Sequence, residues 1–462
     1  MKTKTPSALL HGEPRRTFLQ MMGVTGAGLV VAQAAPLRAL AAGSESVGSI
    51  LGIFATAEAL AVTLTGAAIA GAGKYDGGKG LPPMIVTWIK SIQAEEQAHY
   101  EYLTEAGAKP LTLTFTVPQN LVDITTSSKA FFDFLVSAET IFVGAYVAAG
   151  GEFADLGQPA LAQVACQLAG VESEHRVLAN YARGAVPPNN LGFEKAPFHT
   201  VAEAADQIKS LGLLGTPTPG ATLHYADFAP RVDRTGTMTG EPGFGESLTG
   251  EDAIRGIAEA ASMSESVRDI TNIIVTAEAM AVTLLGAAIQ GAAGYGNPDG
   301  SKGLAAPLVT VLKGAQSAEQ AHYLYLTQAG AKPLTLTFNI PDPKIATDTV
   351  TLFKTIEMLE TAFVAAYVAA AREFAAMHKI DLVKLALQTG GVEAEHRALA
   401  RLALGEAVPS NVAFEKAEFK TVGEAAAALK KLGFIGGTGT PVTYGDFAGS
   451  VDNAGMTGLT PM

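Results

Sequence analysis

A single cysteine, Cys166, is all the thiol chemistry in this chain of 462 residues. An intramolecular disulfide is therefore excluded. Its counterpart in the second half of the chain is Leu387, so Cys166 reads as a small core residue and not as a reactive thiol. Charge is scarce too, at 16% of residues, and the formal net charge is −12. Beyond the N-terminus there is no run of basic residues. Nucleic acid is a poor partner for such a surface, because phosphate binding needs basic patches. After the N-terminal segment no uninterrupted apolar stretch of spanning length stands out, so no membrane span is expected in the mature chain. Apolar residues make up 48% of the chain. That balance suits a well-packed helical protein and not a disordered one.

The N-terminus reads as a targeting segment. Arg15 and Arg16 stand side by side in "EPRRTFLQ", and "MMGVTGAGLVV" and then "AQAAP" and "ALAAG" follow. Paired arginines, a weakly hydrophobic run and small residues form the pattern of a twin-arginine export signal. Cleavage after Ala34 or after Ala42 would both fit. The run is too short and too glycine-rich for a comfortable membrane anchor. A periplasmic or secreted location is expected. Folded proteins carrying a cofactor often travel this route.

The rest of the chain is said twice. "AEALAVTLTGAAIAGA" at 57–72 returns as "AEAMAVTLLGAAIQGA" at 277–292, and "AGAKPLTLTF" at 106–115 returns unchanged at 329–338. A period of about 220 residues is too long for a solenoid repeat, so two whole domains stand in tandem. The expected division is a signal over 1–42, a first domain over 44–228, a linker over 229–250 rich in glycine, threonine and proline, and a second domain over 251–450. An intramolecular pseudo-dimer of the two is expected.

Each unit predicts four long helices. In the first they fall near 46–72, 83–106, 126–155 and 159–183; in the second, near 266–293, 305–329, 347–376 and 380–404. Helices three and four are joined by a few residues and should lie antiparallel. Helices two and three are joined by about 20 residues. At ~3.3 Å per residue, half of these would span the ~35 Å of a 24-residue helix. One long crossover in mid-chain is the connectivity of one class of four-helix bundle. The Leu-Thr alternation of "LTLTF" suggests a short strand lying on its surface.

Titratable residues recur inside these apolar helices. In the first unit they are Glu58, then Glu96 and His99, then Glu139, then Glu172 and His175. In the second they are Glu278, then Glu319 and His322, then Glu360, then Glu393 and His396. Residues three apart share a helix face, so each Glu-x-x-His pair can point at one space. Four carboxylates and two imidazoles can then neutralise and ligate two divalent cations, and oxygen and nitrogen donors suit iron or manganese. Of eight histidines only these four recur between the units. Glu95 becomes Ala318 and Glu101 becomes Leu324, which reads as surface behaviour. Tyr102 and Tyr325 lie three residues from a histidine, and Tyr146 and Tyr367 seven from a glutamate; all four read as core tyrosines able to reach the site. Glu174, Arg176, Glu395 and Arg397 flank the histidines and could orient them or pair at the surface.

On these residues each unit resembles the ferritin-like superfamily, over about 46–184 and 266–405. It is similar to exported bacterial ferritin-like proteins and to plant desiccation-related proteins. The resemblance implies an all-α fold of two tandem ferritin-like four-helix bundles, with two iron or manganese ions per domain. It also implies that Glu96 and Glu172, and Glu319 and Glu393, bridge the ions, with the other carboxylates and the histidines as terminal ligands. Three functions fit: a di-iron oxidoreductase acting on dioxygen, peroxide or ferrous iron; metal binding without turnover; and a structural, stress-protective role. The segments after each bundle lie outside this pattern and are expected to pack on their own domains.

Overall fold

The computed structural model describes residues 45–214, 220–235 and 265–461. The signal segment and most of the expected linker lie outside the described residues. The first unit contains α1 (Val47–Ala70), α2 (Pro83–Glu105), α3 (Ser128–Asp155), α4 (Pro159–Ala182) and, after the bundle, α5 (Val201–Ser210). The second repeats them as α6 (Val267–Gln290), α7 (Ala306–Gln328), α8 (Thr349–Ala376), α9 (Ile380–Ala403) and α10 (Val422–Lys431). The chain is all-α in class, two four-helix bundles in tandem, and the eight bundle helices fall within about three residues of the predicted spans.

Local chemistry sets these boundaries. The Ser46 and Ser266 hydroxyls cap α1 and α6 by accepting backbone N–H groups three residues on. Ser127 and Asp348 do the same for α3 and α8. Pro83 and Pro159 open α2 and α4, where a missing N–H costs nothing. The tight turn between α3 and α4 needs a positive φ, supplied by Gly157 at 67°. The equivalent turn in the second unit places His378 there, at φ 51°. Its Nδ1 lies 3.1 Å from the Ala154 carbonyl in the first unit, a contact that helps offset the strain.

The crossover between α2 and α3 carries β1 (Thr114–Pro118), three residues later than predicted. It pairs antiparallel with β2 (Gly220–His224), beyond α5, with Phe115 opposite Leu223. Likewise β3 (Thr337–Ile340) pairs with β4 (Thr440–Thr443). The segment after each bundle is therefore tied to its own crossover.

Among the described residues three helices, α1, α3 and α6, are long and apolar enough to cross a membrane by length and composition. The expectation of no further stretch of spanning length needs that correction. The apolarity has another source here: most of each apolar window is buried inside the bundles, where core packing demands it, and each helix carries an inward glutamate.

The two bundles join through α4 and α9, backed by α3 and α8. Leu387 of α9 fills the space over Gly150 of α3, where an added Cβ would come within 2.9 Å of it. Cys166 is Leu387's counterpart, buried and unpaired.

Candidate metal centres

Both centres are assembled from all four helices of a bundle. In the first, one ligand atom from each of Glu58, Glu96, His99 and Glu172 lies within 4.8 Å of the others, and the same holds for Glu96, Glu139, Glu172 and His175. The second brings together Glu278, Glu319, His322 and Glu393, and then Glu319, Glu360, Glu393 and His396. Two overlapping four-residue sets per bundle share two glutamates: Glu96 and Glu172 in one, Glu319 and Glu393 in the other. None of the twelve side chains is more than 3% exposed.

The four histidines of the centres turn Nδ1 to the carboxylates. His99 Nδ1 lies 3.3 Å from Glu58 and 3.4 Å from Glu172. His175 Nδ1 lies 3.1 Å from Glu172 and 3.3 Å from Glu96. In the second centre, His322 Nδ1 stands 3.0 Å from Glu278, and His396 Nδ1 3.0 Å from Glu319.

The electrostatics are those of too many carboxylates in too little water. Burial pushes the Glu58 and Glu139 carboxyls well above their usual range, and Glu96 and Glu172 push them further. Burial acts on Glu96 in the same sense, but the facing imidazoles of His175 and His99 more than offset it and hold that carboxyl low. Burial lowers His99 and His175, yet the facing glutamates raise both well above the ordinary imidazole value. Shifts in these directions favour protons on the cluster. Divalent cations would replace them, so binding would release protons.

The donor set fits such ions. Both Glu96 oxygens, one oxygen each of Glu139 and Glu172, both oxygens of Glu319 and Glu393, and one of Glu360 have no hydrogen-bond partner among the described residues. Buried carboxylate oxygens left this way cost several kcal/mol in total unless a cation satisfies them. Carboxylate oxygens and imidazole nitrogens suit divalent cations, and no thiolate stands among them to favour a soft ion.

The surroundings correct several expectations. Tyr146 and Tyr367 do reach the centres: their hydroxyls donate to Glu58 and Glu278. Tyr146 also stacks on Phe54, with ring centroids 4.2 Å apart, so it is a core residue and a ligand's partner at once. Tyr102 and Tyr325 instead meet Phe414 and Phe193 edge-on.

Glu95 is no surface residue; it is fully buried, and its Oε2 lies 2.7 Å from His175 Nε2. Its replacement by Ala318 in the second unit marks a difference between the two centres, not a surface position. Glu101, by contrast, is half-exposed and meets Arg234.

The later part of each segment following a bundle stays on its own domain, but the first stretch crosses to the other. Residues 187–195 lie against the second bundle, and residues 408–416 against the first. His99 Nε2 meets the Ala413 carbonyl, and His322 Nε2 meets that of Gly192. Phe414 covers His99, and Phe193 covers His322. Gly170 allows this approach, since an added Cβ would stand 2.6 Å from Glu415 Cγ. Each centre therefore borrows a lid from the other half of the chain. The recurrence of "FEKA" unchanged in both tails is the available signal, but nothing in it says which bundle it covers.

The residues flanking the histidines are buried, not superficial. Arg397 binds Glu174 of the other unit through Nε at 3.0 Å and Nη2 at 2.7 Å, and it also holds Glu415. Arg176 pairs with Glu194 at 2.6 Å and with Glu395 across the interface. Two guanidinium groups thus face four carboxylates. Burial pushes Glu395 up to about 8 and Glu415 to about 7, although the arginines pull the other way.

No curated protein and no solved structure compared with the chain matches it. The ferritin-like domain family matches twice, over residues 46–185 and 244–406. Those two stretches contain every residue of both centres and cover more than half of the chain: it belongs to the ferritin-like domain family.

Proposed function

We propose that each bundle holds a pair of iron or manganese ions, and that the chain is exported by the twin-arginine route to use them oxidatively. The chemistry would be ferrous iron oxidation or removal of peroxide or dioxygen. The observation that supports this reading is the pair of glutamates shared between two ligand sets, Glu96 with Glu172 and Glu319 with Glu393. These shared carboxylates would hold both ions, and such a pair would supply two-electron redox capacity and Lewis acidity.

The chain's own residues do the rest. Hydrogen bonds at Nε2 of His99, His175 and His322 fix the tautomer that offers Nδ1 as a ligand. Tyr146 orients Glu58, and Tyr367 orients Glu278. Glu58 and Glu139, raised by burial, hold protons when metal is absent. An apolar cleft between α1 and α3, lined by Leu60, Phe131, Phe142 and Leu211, reaches Glu139; its counterpart reaches Glu360. Such clefts suit a small uncharged molecule such as dioxygen.

A second reading is a non-catalytic, stress-protective protein whose ions staple the bundles. Complete burial of all twelve residues favours it. Anaerobic loading with ferrous iron and a pulse of oxygen separates the two. Oxygen uptake with ferric absorption is expected for the first. Retained ferrous iron without uptake would establish the second in its place.

A further inference from the structure

The four ligand histidines are not equally supported. Three of them have a partner at Nε2. For His99 and His322 it is a backbone carbonyl, Ala413 and Gly192 respectively. For His175 it is the carboxylate of Glu95, at 2.7 Å. His396 Nε2 is buried with no partner among the described residues.

The carboxylate at His175 is itself built in. Ser91 Oγ donates to Glu95 Oε1 at 2.9 Å, and Ser410 Oγ donates to Glu95 Oε2 at 3.0 Å. Ser410 comes from the tail of the second unit and closes over the first centre. All three side chains are at most 5% exposed. At the second centre the three equivalent positions hold Ala318, Gly314 and Asn189, the last from the tail of the first unit. No acid stands there, and no hydroxyl would hold one. Asn189 packs on Gly314, within 2.8 Å of where a Cβ would stand, and its Oδ1 too lacks a partner among the described residues. The loss is concerted across helix α7 and the exchanged tail, whereas all six ligands recur.

Resting on the di-metal reading, we infer that the two centres are unequal: Glu95 is a positioning residue that makes the first centre bind divalent cations more tightly than the second. A carboxylate on the far nitrogen of a ligating imidazole fixes the ring, makes Nδ1 a stronger donor and adds a negative charge behind the ion. Removing such a partner lowers metal affinity by about 10–100-fold. In the second centre that support is missing from the start, and His396 keeps only the geometry set by its helix.

The test is an anaerobic Mn2+ titration of the full chain, followed by calorimetry and by the electron paramagnetic resonance of the bound ion. Glu393→Ala disables the second centre and reports on the first; Glu172→Ala does the reverse. The expected result is that the protein with Glu393→Ala binds Mn2+ about 10–100-fold more tightly than the protein with Glu172→Ala. Adding Glu95→Ala to Glu393→Ala should abolish that advantage, and Glu95→Asp should restore part of it. Copying the triad into the second centre, as Ala318→Glu with Gly314→Ser and Asn189→Ser in the Glu172→Ala background, should tighten that centre. This gain variant guards against a loss caused by misfolding alone. Equal affinities in the two single-centre proteins, or an unchanged affinity after Glu95→Ala, would overturn the inference while leaving the di-metal reading intact. Absence of Mn2+ binding in both would overturn the di-metal reading and the inference with it.

Discussion

Replacing Arg397 with methionine keeps most of its volume and removes its charge. Arg397 is 4% exposed and holds Glu174 and Glu415 through four hydrogen bonds. Without it, two carboxylates remain buried against each other in the seam between the bundles. Breaking a buried pair from one side costs about 3–5 kcal/mol, because the orphaned charge has no water to turn to. The loss should depend on pH, and its sign follows from Glu415. Burial raises that carboxyl to about 7 in the folded chain, and Arg397 is the main influence holding it down. A carboxyl raised above its unfolded value near 4.5 stabilises the fold at low pH, and that stability is lost as pH rises through 7. In the variant the carboxyl rises further, so it still takes up a proton at pH 8. Between pH 8 and pH 5 the variant should therefore recover about 1–1.5 kcal/mol more than the native chain, from this group alone. Urea unfolding of chelator-treated protein at both values of pH measures this, free of metal retention. A deficit under about 1 kcal/mol at pH 8, or one that grows on acidification, would refute the reasoning.

Glu172→Ala should remove about half of the bound metal by elemental analysis and leave the second centre loaded; loss of all metal would mean that the two centres fill only together. Gly170→Ala should cost about 1–3 kcal/mol, since its Cβ would stand 2.6 Å from Glu415 Cγ and force the tail off the bundle. Trp88 is the single tryptophan, 3% exposed, and its Nε1 donates to the Ala407 carbonyl beyond the other bundle at 3.2 Å. Its emission should therefore red-shift when the domains part. Because the tails are exchanged, that shift should coincide with loss of helix by circular dichroism, and a separate earlier transition would contradict the interlock.

What could be read in advance follows a physical divide. Helix spans, the crossover and the twelve inward residues rest on periodicity within one helix, which a sequence displays directly. The Glu-x-x-His spacing places two groups on one face whatever the tertiary fold. The destination of the tails rests on contacts more than 200 residues apart, and a symmetric repeat cannot tell self from partner. The same blindness hid the arginines. Arg176 and Arg397 sit beside the ligands in sequence, yet each points out of its own bundle and is buried only because another bundle stands there. Glu95 failed for a different reason. Recurrence between the halves marks only what both possess and discards any feature that one half alone has.

That failure bears on why two bundles share one chain. In a symmetric homodimer a carboxylate behind one histidine would stand behind the equivalent histidine too, since a single sequence furnishes both. Each centre here is closed by a tail from the other half, so the first centre needs the Ser410 of the second unit, and the second receives Asn189 from the first. A tandem chain keeps the exchanged tails of a symmetric pair while letting each position drift alone. Glu95, Ser91 and Ser410 on one side and Ala318, Gly314 and Asn189 on the other are what such freedom permits. The ligands themselves show none of that drift: all six are the same in both units, so the difference lies wholly in what stands behind one histidine. The covalent link thereby permits an asymmetry at one atom, Nε2 of His175 against Nε2 of His396.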